Sequence, residues 1–524
     1  MKHYDIAIIG YGPVGAVTAN LFAKQGFTIA LIEPKLDIWD IPRAVHFDGQ
    51  TQRIFQSMGI MDEVSKIIHP MTGITFLNNK GKEIVYFGTE HKAPPNGYNE
   101  SVFFNQPIFE KLLRDRASEY TNIDFMLGNK LTKIVSKENK NNLEIINTDT
   151  NETDSLSCEY LLGCDGANSF VRKYLNIESH DYKCDENWIV ADYLVDEKYK
   201  VNSDRYQICD YKRPTTIVPV VGQHVRWEFK INHDDDLDHL ENEDNIRSMM
   251  KPHLWRINPD IPLSSGKLLR SKAYTYHGVL AKNFKYNNCF LLGDAAHQMP
   301  PFLGQGLCQG IKDAYNLCWR LTGVRNNVMN TKILEMYSLE RKGVVDFTIR
   351  NAIKQGDIIG SQDRFKAYIR DIYLNISKYI PKLLDNLRIA YSWRIKKGNI
   401  DTDLFPNKAN GVIIPHPSLA LKKDNKLFDE YIGNNFGLLV FDNSINIVNE
   451  IKKLSSSSIF GKNIFHIDET NEFNKDKKIF KWSKVNNISA AIIRPDKHIY
   501  GCVDNTNIIN DIDQLTNKLI SEIQ

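Results

Sequence analysis

The chain has 524 residues, 42% of them hydrophobic and 25% charged, and its formal net charge is +2. This nearly neutral balance supplies no extended field for nucleic acid or anionic lipid, so we expect small-molecule ligands and no nucleic-acid partner. The length predicts two or three domains, because one hydrophobic core rarely serves more than about 300 residues.

Cysteine spacing and apolar runs indicate the compartment. The eight cysteines include no CxxC pair and no metal-ligand spacing, which predicts reduced thiols and no metal site. The apolar stretch 6–23 follows Asp5 and is interrupted by glycines, Pro13 and Asn20, so we interpret it as a strand and a helix rather than a signal peptide. Other apolar runs fall short of the about 20 residues of a membrane span. The prediction is a cytoplasmic enzyme without a membrane span.

A dinucleotide-binding βαβ pattern opens the chain. The apolar run 6–9 leads into G-Y-G-P-V-G at residues 10–15, and Glu33 closes the next apolar run. The first glycine permits a tight turn, the second lets the backbone approach a pyrophosphate, and the third lets the helix pack closely on the strand. Glu33 stands where a carboxylate accepts a hydrogen bond from a ribose hydroxyl. The unit predicts a bound dinucleotide and leaves its identity open.

The rest of the chain divides by pattern. Alternating strand and helix signals predict a parallel α/β domain over 1–180. Aromatic and β-branched runs predict a β-rich domain over 181–271. Residues 272–397 return to the first domain and continue as helices. Short elements that end in an amphipathic helix over 508–523 predict a third domain over 398–524.

Two patterns are interpreted as structural rather than functional. Phe365, Ile369, Ile372 and Ile376 have helical spacing and predict one buried face. The acidic run H-D-D-D-L-D-H at 233–239 lacks the glycine and glutamate positions of a calcium loop, so we expect a solvated loop that leads into a helix.

Two further motifs lie where a predicted strand meets a turn. The first is Y-L-L-G-C-D-G-A-N-S at 160–169, and the second is C-F-L-L-G-D-A-A-H at 289–297, continued by P-P-F-L-G-Q-G at 300–306. A carboxylate at a strand end can accept hydrogen bonds from sugar or ribitol hydroxyls, and a glycine-rich turn can bring backbone amides near an electron-rich ring edge. With the motif at 10–15, these segments strongly resemble the single-component FAD-dependent aromatic hydroxylases, which share the p-hydroxybenzoate hydroxylase fold.

This resemblance covers residues 4–345 and implies FAD as the cofactor, with NADPH or NADH as a transient electron donor. It implies that O2 adds at flavin C4a and that the hydroperoxide delivers one oxygen to an electron-rich phenolic ring. It implies that Asp294 binds the ribitol, and that Asp165 lies near the pyrophosphate and supports reduction by NAD(P)H. The FAD-binding residues so implied are Gly10, Gly12, Pro13, Val14, Gly15, Glu33, Arg43, Gln106, Asp165, Gly293, Asp294, Ala295, Pro301, Gly304, Gly306 and Leu307.

Within this family the chain looks most like the 3-(3-hydroxyphenyl)propionate hydroxylases. The segments 209–214, 226–229, 274–277 and 304–308 resemble theirs, and R-P-D at 494–496 matches their thioredoxin-like extension. Without a CxxC pair, that extension is expected to serve packing or dimer stabilisation rather than redox chemistry. The implied fold is an α/β FAD-binding Rossmann-like domain with an interleaved β-rich substrate domain, a helical segment and a C-terminal thioredoxin-like α/β domain.

The substrate contacts are less defined. A free phenol with a pKa of about 10 is only about 0.1% ionised at pH 7, so the protein is expected to deprotonate or polarise the hydroxyl. The chain departs from its relatives at His46, Gln50, Gln52 and Leu307, which leaves the exact substrate open. We rank Arg213 first as an anion contact. The candidates are Tyr206, Tyr211 and His224 for catalysis, and Arg213, Arg226 and His46 for substrate binding.

Three functions are carried forward. The first is an FAD-dependent monooxygenase that uses NAD(P)H and O2 to hydroxylate a phenolic substrate, such as a 3-(3-hydroxyphenyl)propionate-like acid. The second is a tailoring or inactivating hydroxylase of a polyketide or an antibiotic such as a rifamycin. The third is an FAD-binding dehydrogenase or redox-sensing module without oxygenase activity. A homodimer is a further possibility that the sequence leaves open.

Overall fold

A largely parallel sheet carries the first glycine-rich turn. The computed structural model of the protein describes residues 1–40, 42–88, 96–137, 140–380, 394–416, 428–441, 445–468, 478–504 and 507–524. Within those residues, eight strands pair in this sheet, and its central strands read as continuous apolar runs because both of their faces are buried. Its strands are β1 (Lys2–Ile9), β2 (Ile29–Glu33), β8 (Ile123–Leu127), β9 (Asn129–Lys137), β10 (Lys140–Asn147), β11 (Thr153–Gly163), β19 (Lys285–Tyr286) and β20 (Cys289–Leu291).

The turn after β1 depends on close backbone packing. β1 lies between β2 and β11, and both run parallel to it. Gly10 has φ +100°, a left-handed conformation that glycine adopts at little cost. A Cβ at Gly15 would lie 2.0 Å from the Gly10 carbonyl oxygen, so only glycine lets the next helix begin here. The helices on this sheet are α1 (Pro13–Lys24), α4 (Gln106–Ser118) and α8 (Gly306–Arg325).

A second, mainly antiparallel sheet has one face on an apolar core and the other toward the first domain. Because side chains alternate along a strand, Ile217, Trp227 and Phe229 enter the core, and Val218 and Glu228 project to the opposite face. The helices α6 (Leu237–Leu240) and α7 (Glu243–Met250) follow it in the chain. In spatial order the strands are β17 (Lys267–Tyr276), β13 (Glu186–Leu194), β16 (His224–Lys230), β15 (Thr215–Pro219), β14 (Arg205–Ile208), β5 (Gly73–Leu77) and β6 (Glu83–Gly88).

This second sheet extends beyond the predicted segment 181–271. β5 pairs in parallel with β14, and β17 continues to Tyr276. The pairing of β5 with β14 joins residues about 130 positions apart, which a pattern of local runs does not reveal. The predicted limits are therefore too narrow for this sheet, while the division of the chain into domains stays a prediction.

Two small sheets and short helices connect the large ones. In one sheet β7 lies between β3 and β4, and in the other β18 lies between β12 and β21. They are β3 (His46–Asp48), β7 (Ser101–Phe104), β4 (Ile68–Pro70), β12 (Ser179–Asp181), β18 (Val279–Ala281) and β21 (His297–Gln298), with helices α2 (Gly49–Met58), α3 (Met61–Ser65) and α5 (Phe170–Tyr174).

The helical segment contains one clear correction. After α9 (Glu335–Ile359), helix α10 (Arg364–Ser377) exposes Phe365 by 72%, and it exposes Ile369, Ile372 and Ile376 by 49%, 40% and 46%. The prediction that these four residues form a buried face is therefore wrong. The helix packs through another side, on which the Arg370 guanidinium donates to the Cys209 carbonyl at 2.6 Å. Periodicity identified an apolar stripe but not the side that meets the protein.

The last part of the chain forms a separate small sheet with helices. Its spatial strand order is β23-β22-β24-β25, in which β22 and β23 are parallel and the other neighbouring pairs are antiparallel. The predicted closing helix at 508–523 is confirmed with the same ends. The elements are β22 (Gly437–Val440), β23 (Ile464–His466), β24 (Ala490–Ile493), β25 (Ile499–Val503), α11 (Phe428–Ile432), α12 (Ile445–Ile451), α13 (Lys478–Val485) and α14 (Ile508–Ile523). None of the described helices is both long and apolar enough to cross a membrane.

A buried ion network joins this part to α8 and α9. The Arg494 guanidinium donates to both oxygens of Glu340, at 2.8 and 2.9 Å, and to Asp496. Arg320 pairs with Glu340 at 2.8 Å, and all four side chains are almost completely buried. Burial alone would raise the pKa of Glu340, but Arg320 and Arg494 lower it to about 2. Because these four charged groups are buried away from water, each relies on the others for a compensating charge.

Replacing Arg494 by leucine should destabilise the protein by about 3–5 kcal/mol, because Glu340 and Asp496 would keep buried charges with fewer partners. The measurement is thermal and denaturant unfolding of the holoprotein. Arg350→Gln is the control, since Arg350 forms an exposed pair with Asp346 on one helix, and it should change stability far less because solvent screens the pair. Equal effects of the two substitutions would contradict this account.

Candidate flavin and substrate site

A cavity of about 430 Å³ lies where the first sheet's glycine-rich turns face the second sheet. Two groups of residues line it, one from the predicted cofactor motifs and one from the second sheet and the nearby strands β3 and β7. The first group comprises Gly12, Pro13, Val14, Arg43, Gln106, Asp294, Pro301, Gly304, Gly306 and Leu307. The second includes His46, Met71, Ser101, Phe103, Arg205, Val218, Arg226, Glu228, Thr275, Tyr276 and His277.

Two helix N-termini point into open space at this cavity. The first-turn N–H groups of α1 and α8 have no carbonyl acceptors within their own helices and carry the positive end of the helix dipole. A Cβ at Gly12 would meet no protein atom within 4 Å, and a Cβ at Gly306 would meet only Met299, at 3.9 Å. These positions fit a pyrophosphate at α1 and an electron-rich ring edge at α8.

Asp294 offers a carboxylate to the cavity. Its side chain is exposed there, and no described residue donates a hydrogen bond to its oxygens. The surrounding protein raises the pKa of Asp294 by desolvation, while His297 and Arg43 oppose that shift. A hydroxyl donor in the cavity would satisfy this carboxylate, which is the chemistry that a ribitol chain supplies.

Buried hydrogen bonds hold the turn that presents Asp294. The Gly293 N–H donates to Asp313 Oδ2 at 3.0 Å, and His297 Nε2 lies 2.7 Å from the same oxygen. The Arg341 Nε donates to the other oxygen of Asp313 at 2.6 Å. Because Asp313 belongs to α8, one helix both faces the cavity and fixes the turn opposite. Ala295 is buried behind this turn, where its carbonyl accepts from Arg172.

Gln106 fixes the loop that carries Arg43. Its side-chain oxygen accepts from the backbone N–H groups of Arg43 and Ala44, at 2.9 and 2.7 Å. Its amide nitrogen donates to Glu110 at 2.7 Å. Gln106 is thereby satisfied within the protein, while the exposed Arg43 guanidinium stacks on Trp39 at 5.6 Å beside the cavity.

Glu33 and Asp165 are engaged in their own turns. Glu33 accepts from the backbone N–H groups of Tyr11 and Lys35, at 2.7 and 3.0 Å. Asp165 accepts from Ser169 Oγ at 2.6 Å and from the Val171 N–H at 3.0 Å. Neither residue belongs to the cavity lining in the described part of the chain, so their contacts with the cofactor stay predictions.

His46 connects a strand to the second glycine-rich turn. Its Nδ1 lies 3.1 Å from the Gly304 carbonyl, and its Nε2 lies 2.6 Å from Ser101 Oγ. A carbonyl only accepts, so Nδ1 carries the proton and donates to Gly304, and the Ser101 hydroxyl donates to Nε2. Burial lowers the pKa of His46 to about 4, so the ring is neutral at pH 7. His46 thus positions the Gly304 turn.

Arg226 joins the second sheet to the Arg43 loop. Its guanidinium donates to Asp192 at 2.9 Å and to the carbonyl oxygens of Arg43 and Pro42 at 2.7 and 2.5 Å. His224 bonds to the same Asp192 at 2.8 Å and does not belong to the described cavity lining. The guanidinium of Arg226 reaches the cavity with most of its hydrogens already engaged.

The other sequence candidates lie away from the cavity. Arg213 pairs with Asp235 through two contacts, at 2.8 and 2.9 Å, and donates to the Lys230 carbonyl. Tyr206 packs against the core on the opposite face of the second sheet. Tyr211 follows β14 in the turn that contains Arg213, and none of these three residues is among the described residues that line the cavity.

Arg205, Glu228 and Tyr276 line the cavity and were missed by the sequence reasoning. Burial raises the pKa of Glu228, while the charges of Arg226 and Arg205 lower it. Burial also raises the pKa of Tyr276 well above its usual value, with a further rise from Glu228. The sequence does contain a signal for Glu228. Side chains alternate between the two faces of a strand, so in R-W-E-F at 226–229 Glu228 lies on the same face as Arg226.

The fold and the cavity define a flavin-dependent oxidoreductase. The sequence model of the FAD binding domain family matches residues 3–352, and the chain belongs to this family. The chain is 27% identical over 511 residues to a probable NADH-specific resorcinol 4-hydroxylase of Rhodococcus jostii, covering 95% of this chain and 92% of that one. It is also 27% identical to a 3-(3-hydroxy-phenyl)propionate/3-hydroxycinnamic acid hydroxylase of Burkholderia cenocepacia, covering 80% and 73%.

Solved structures share the fold along the whole chain. The flavin-dependent monooxygenase PieE, in complex with FAD and substrate, superposes with a TM-score of 0.81 at 18% identity, covering 99% of each chain. Aklavinone-11 hydroxylase, with FAD and aklavinone, superposes with a TM-score of 0.74 at 17% identity, also covering 99% of each. The prediction of an FAD-dependent aromatic monooxygenase is confirmed at the level of class, and FAD is the cofactor.

Alanine at Gly12 and at Gly15 should separate cofactor binding from folding. The Cβ of Gly12→Ala has room in the protein but occupies the space before α1, so the apoprotein should melt as the wild type does and bind FAD about tenfold or more weakly. Gly15→Ala forces the Cβ against the Gly10 carbonyl and should lower the melting temperature of the apoprotein. Flavin fluorescence titration and thermal unfolding measure the two effects, and equal losses of stability would contradict the assignment.

The stability of the protein should fall on acidification through His46. Its folded pKa of about 4 lies below the usual value of about 6.5, so between those pH values the unfolded chain binds more protons. The free energy of unfolding should then fall by up to about 3 kcal/mol from pH 6.5 to pH 4. His46→Gln removes this component, whereas His233→Gln, at an exposed position, should keep the wild-type pH profile. Denaturant unfolding between pH 4 and pH 6.5 measures this pH dependence. Parallel pH profiles of stability for the wild type, His46→Gln and His233→Gln would refute the prediction.

Proposed function

We propose that the chain hydroxylates a small phenolic ring and that Glu228 accepts the proton of the phenolic hydroxyl. The supporting observation is the composition of one cavity, where the flavin-facing turns stand opposite a half-buried carboxyl and Tyr276. Bound FAD supplies electron transfer and oxygen activation. The chain itself has to hold the ring, exclude water and handle the substrate proton.

Glu228 is suited to that proton by its environment. Burial raises the pKa of Glu228. The raised pKa is closer to the phenol's pKa of about 10, so the carboxylate is a stronger base for the phenolic proton. No described side chain donates a hydrogen bond to it, so its oxygens are available to a substrate hydroxyl. The ring of Tyr276, which contacts Trp188 and Phe302, closes the cavity beside it.

The size of the cavity favours a single-ring substrate. Ligand sites of this kind span about 300–1,000 Å³, and a cavity of about 430 Å³ has to accept the flavin ring as well as the substrate. A tailoring hydroxylase for a polycyclic product is therefore the second candidate. The relative named as NADH-specific supports NADH as the first electron donor to test.

The C-terminal part is proposed to be a thioredoxin-like domain with a packing role. Its strand order, with one parallel pair and two antiparallel pairs, supports that assignment. Cys502 is buried, in accord with a role other than thiol exchange. A homodimer and a cytoplasmic location stay predictions.

Oxidation of NADH by the FAD-loaded protein tests the function, with 3-(3-hydroxyphenyl)propionate and resorcinol as substrates and product mass as readout. We expect a phenol-dependent rate and one oxygen atom added per NADH. A phenol-independent rate without hydroxylated product would reject the proposal.

Glu228→Gln tests the assigned base. We expect kcat to fall by about 100-fold or more with FAD retained. In the wild type, kcat should decline as the pH falls through the raised pKa of Glu228, because a protonated carboxyl cannot accept the proton, and the variant should lack this limb. Glu243→Gln is the matched control, since Glu243 pairs with Arg247 on α7 away from the cavity. An unchanged kcat and pH profile in Glu228→Gln would remove Glu228 from this role.

A further inference from the structure

Arg205 differs from the other arginines of the second sheet. Arg213 pairs with Asp235, and Arg226 and Arg270 both pair with Asp192. Arg205, the first residue of β14, has no carboxylate within 4.0 Å among the residues that the structure describes, and its Nε is buried without a hydrogen-bond partner. It lines the cavity. Among the described residues, no carboxylate forms an ion pair with the guanidinium that Arg205 presents to the cavity.

Apolar side chains and a carboxyl line the cavity together with Arg205. Met71, Phe103 and Val218 pack together as one apolar cluster and line the same cavity. Arg205 is close enough to influence the charge states of His46 and Glu228. A flat ring between these apolar side chains would thus have a cation and a carboxyl within reach of its substituents.

The physical requirement is a partner for the guanidinium. A partly buried cation without a hydrogen-bonded counter-ion loses hydration and gains no ion pair in return. Arginine presents a planar fork of donors that matches a carboxylate through two parallel hydrogen bonds. His46 next to it is neutral at pH 7 and already bonded to Gly304 and Ser101, so it does not supply that counter-charge. A ligand that enters the cavity can supply it.

We infer that Arg205 binds the carboxylate of the substrate and thereby selects phenolic aromatic acids over uncharged phenols. This inference rests on the proposed hydroxylase function and names the substrate class of that site. The acid side chain of the substrate lies at β14, and the phenolic hydroxyl lies at Glu228. The apolar cluster holds the ring between them.

A matched pair of probes isolates the charge: 3-(3-hydroxyphenyl)propionate and its primary amide. In Arg205→Gln, the dissociation constant and the KM of the acid should rise about 10- to 100-fold, which corresponds to the loss of charge-assisted hydrogen bonds. The values for the amide and for resorcinol should stay within about threefold of the wild type. Arg205→Lys should restore part of the affinity for the acid, because it keeps the charge but loses the fork. Binding is read from the flavin absorbance change of the oxidised holoenzyme, and KM from NADH oxidation.

Other results would overturn the inference. If Arg205→Gln weakens the binding of the acid and of the amide equally, Arg205 shapes the site without distinguishing charged from uncharged ligands. If Arg213→Gln produces the selective loss instead, the anion contact lies at Arg213. If Arg205→Gln raises the KM for NADH alone, the guanidinium serves the phosphates of the reductant. Failure of the acid to bind the wild-type holoenzyme also overturns it, whereas binding of the acid without any hydroxylated product rejects the proposed function and leaves the binding comparison valid.

Discussion

The carboxylate of Asp192 holds the two arginines that join the second sheet to the loop carrying Arg43. It is buried and accepts from Arg226 and Arg270, at 2.9 and 2.6 Å. Both guanidinium groups also donate to the Pro42 carbonyl, and Arg226 donates to the Arg43 carbonyl as well. Burial alone would raise the pKa of Asp192, yet Arg226 and His224 hold it far below its usual value. One ionised group on β13 thus fixes the distance between the second sheet and the loop beside the flavin site.

The charged side chains differ in whether they are paired within the protein. Asp192, Arg226, Asp313 and Glu340 are fully buried and fully paired, so their cost of desolvation is offset within the protein. Asp294, Glu228 and Arg205 face the cavity without a described partner of opposite charge within hydrogen-bond distance. A ligand with hydroxyls, a phenol and an anion would complete all three. Perturbed or unsatisfied charges in one cavity mark a binding site more clearly than any single residue type does.

Features that depend on nearby residues could be predicted from the sequence. The glycine motif at 10–15 needs only its own backbone, and helix α14 is amphipathic over its entire length. The residues by which the second sheet lines the cavity could not be predicted in the same way. Tyr206 was chosen by residue type, but alternation along β14 gives the cavity to Arg205, and the orientation of that strand is set by its distant partner β5. Which side of α10 is buried likewise depends on tertiary contacts.

Helix α8 connects the cavity to the C-terminal part of the chain. At its start, Gly306 faces the cavity, and two turns later Asp313 fixes the turn that presents Asp294. One turn further on, Asn316 and Trp319 both donate to Asp496 of the C-terminal part, each at 3.2 Å. A helix whose middle is held by buried hydrogen bonds cannot shift along its axis without breaking them. The C-terminal part is therefore hydrogen-bonded to the same helix that fixes the Asp294 turn.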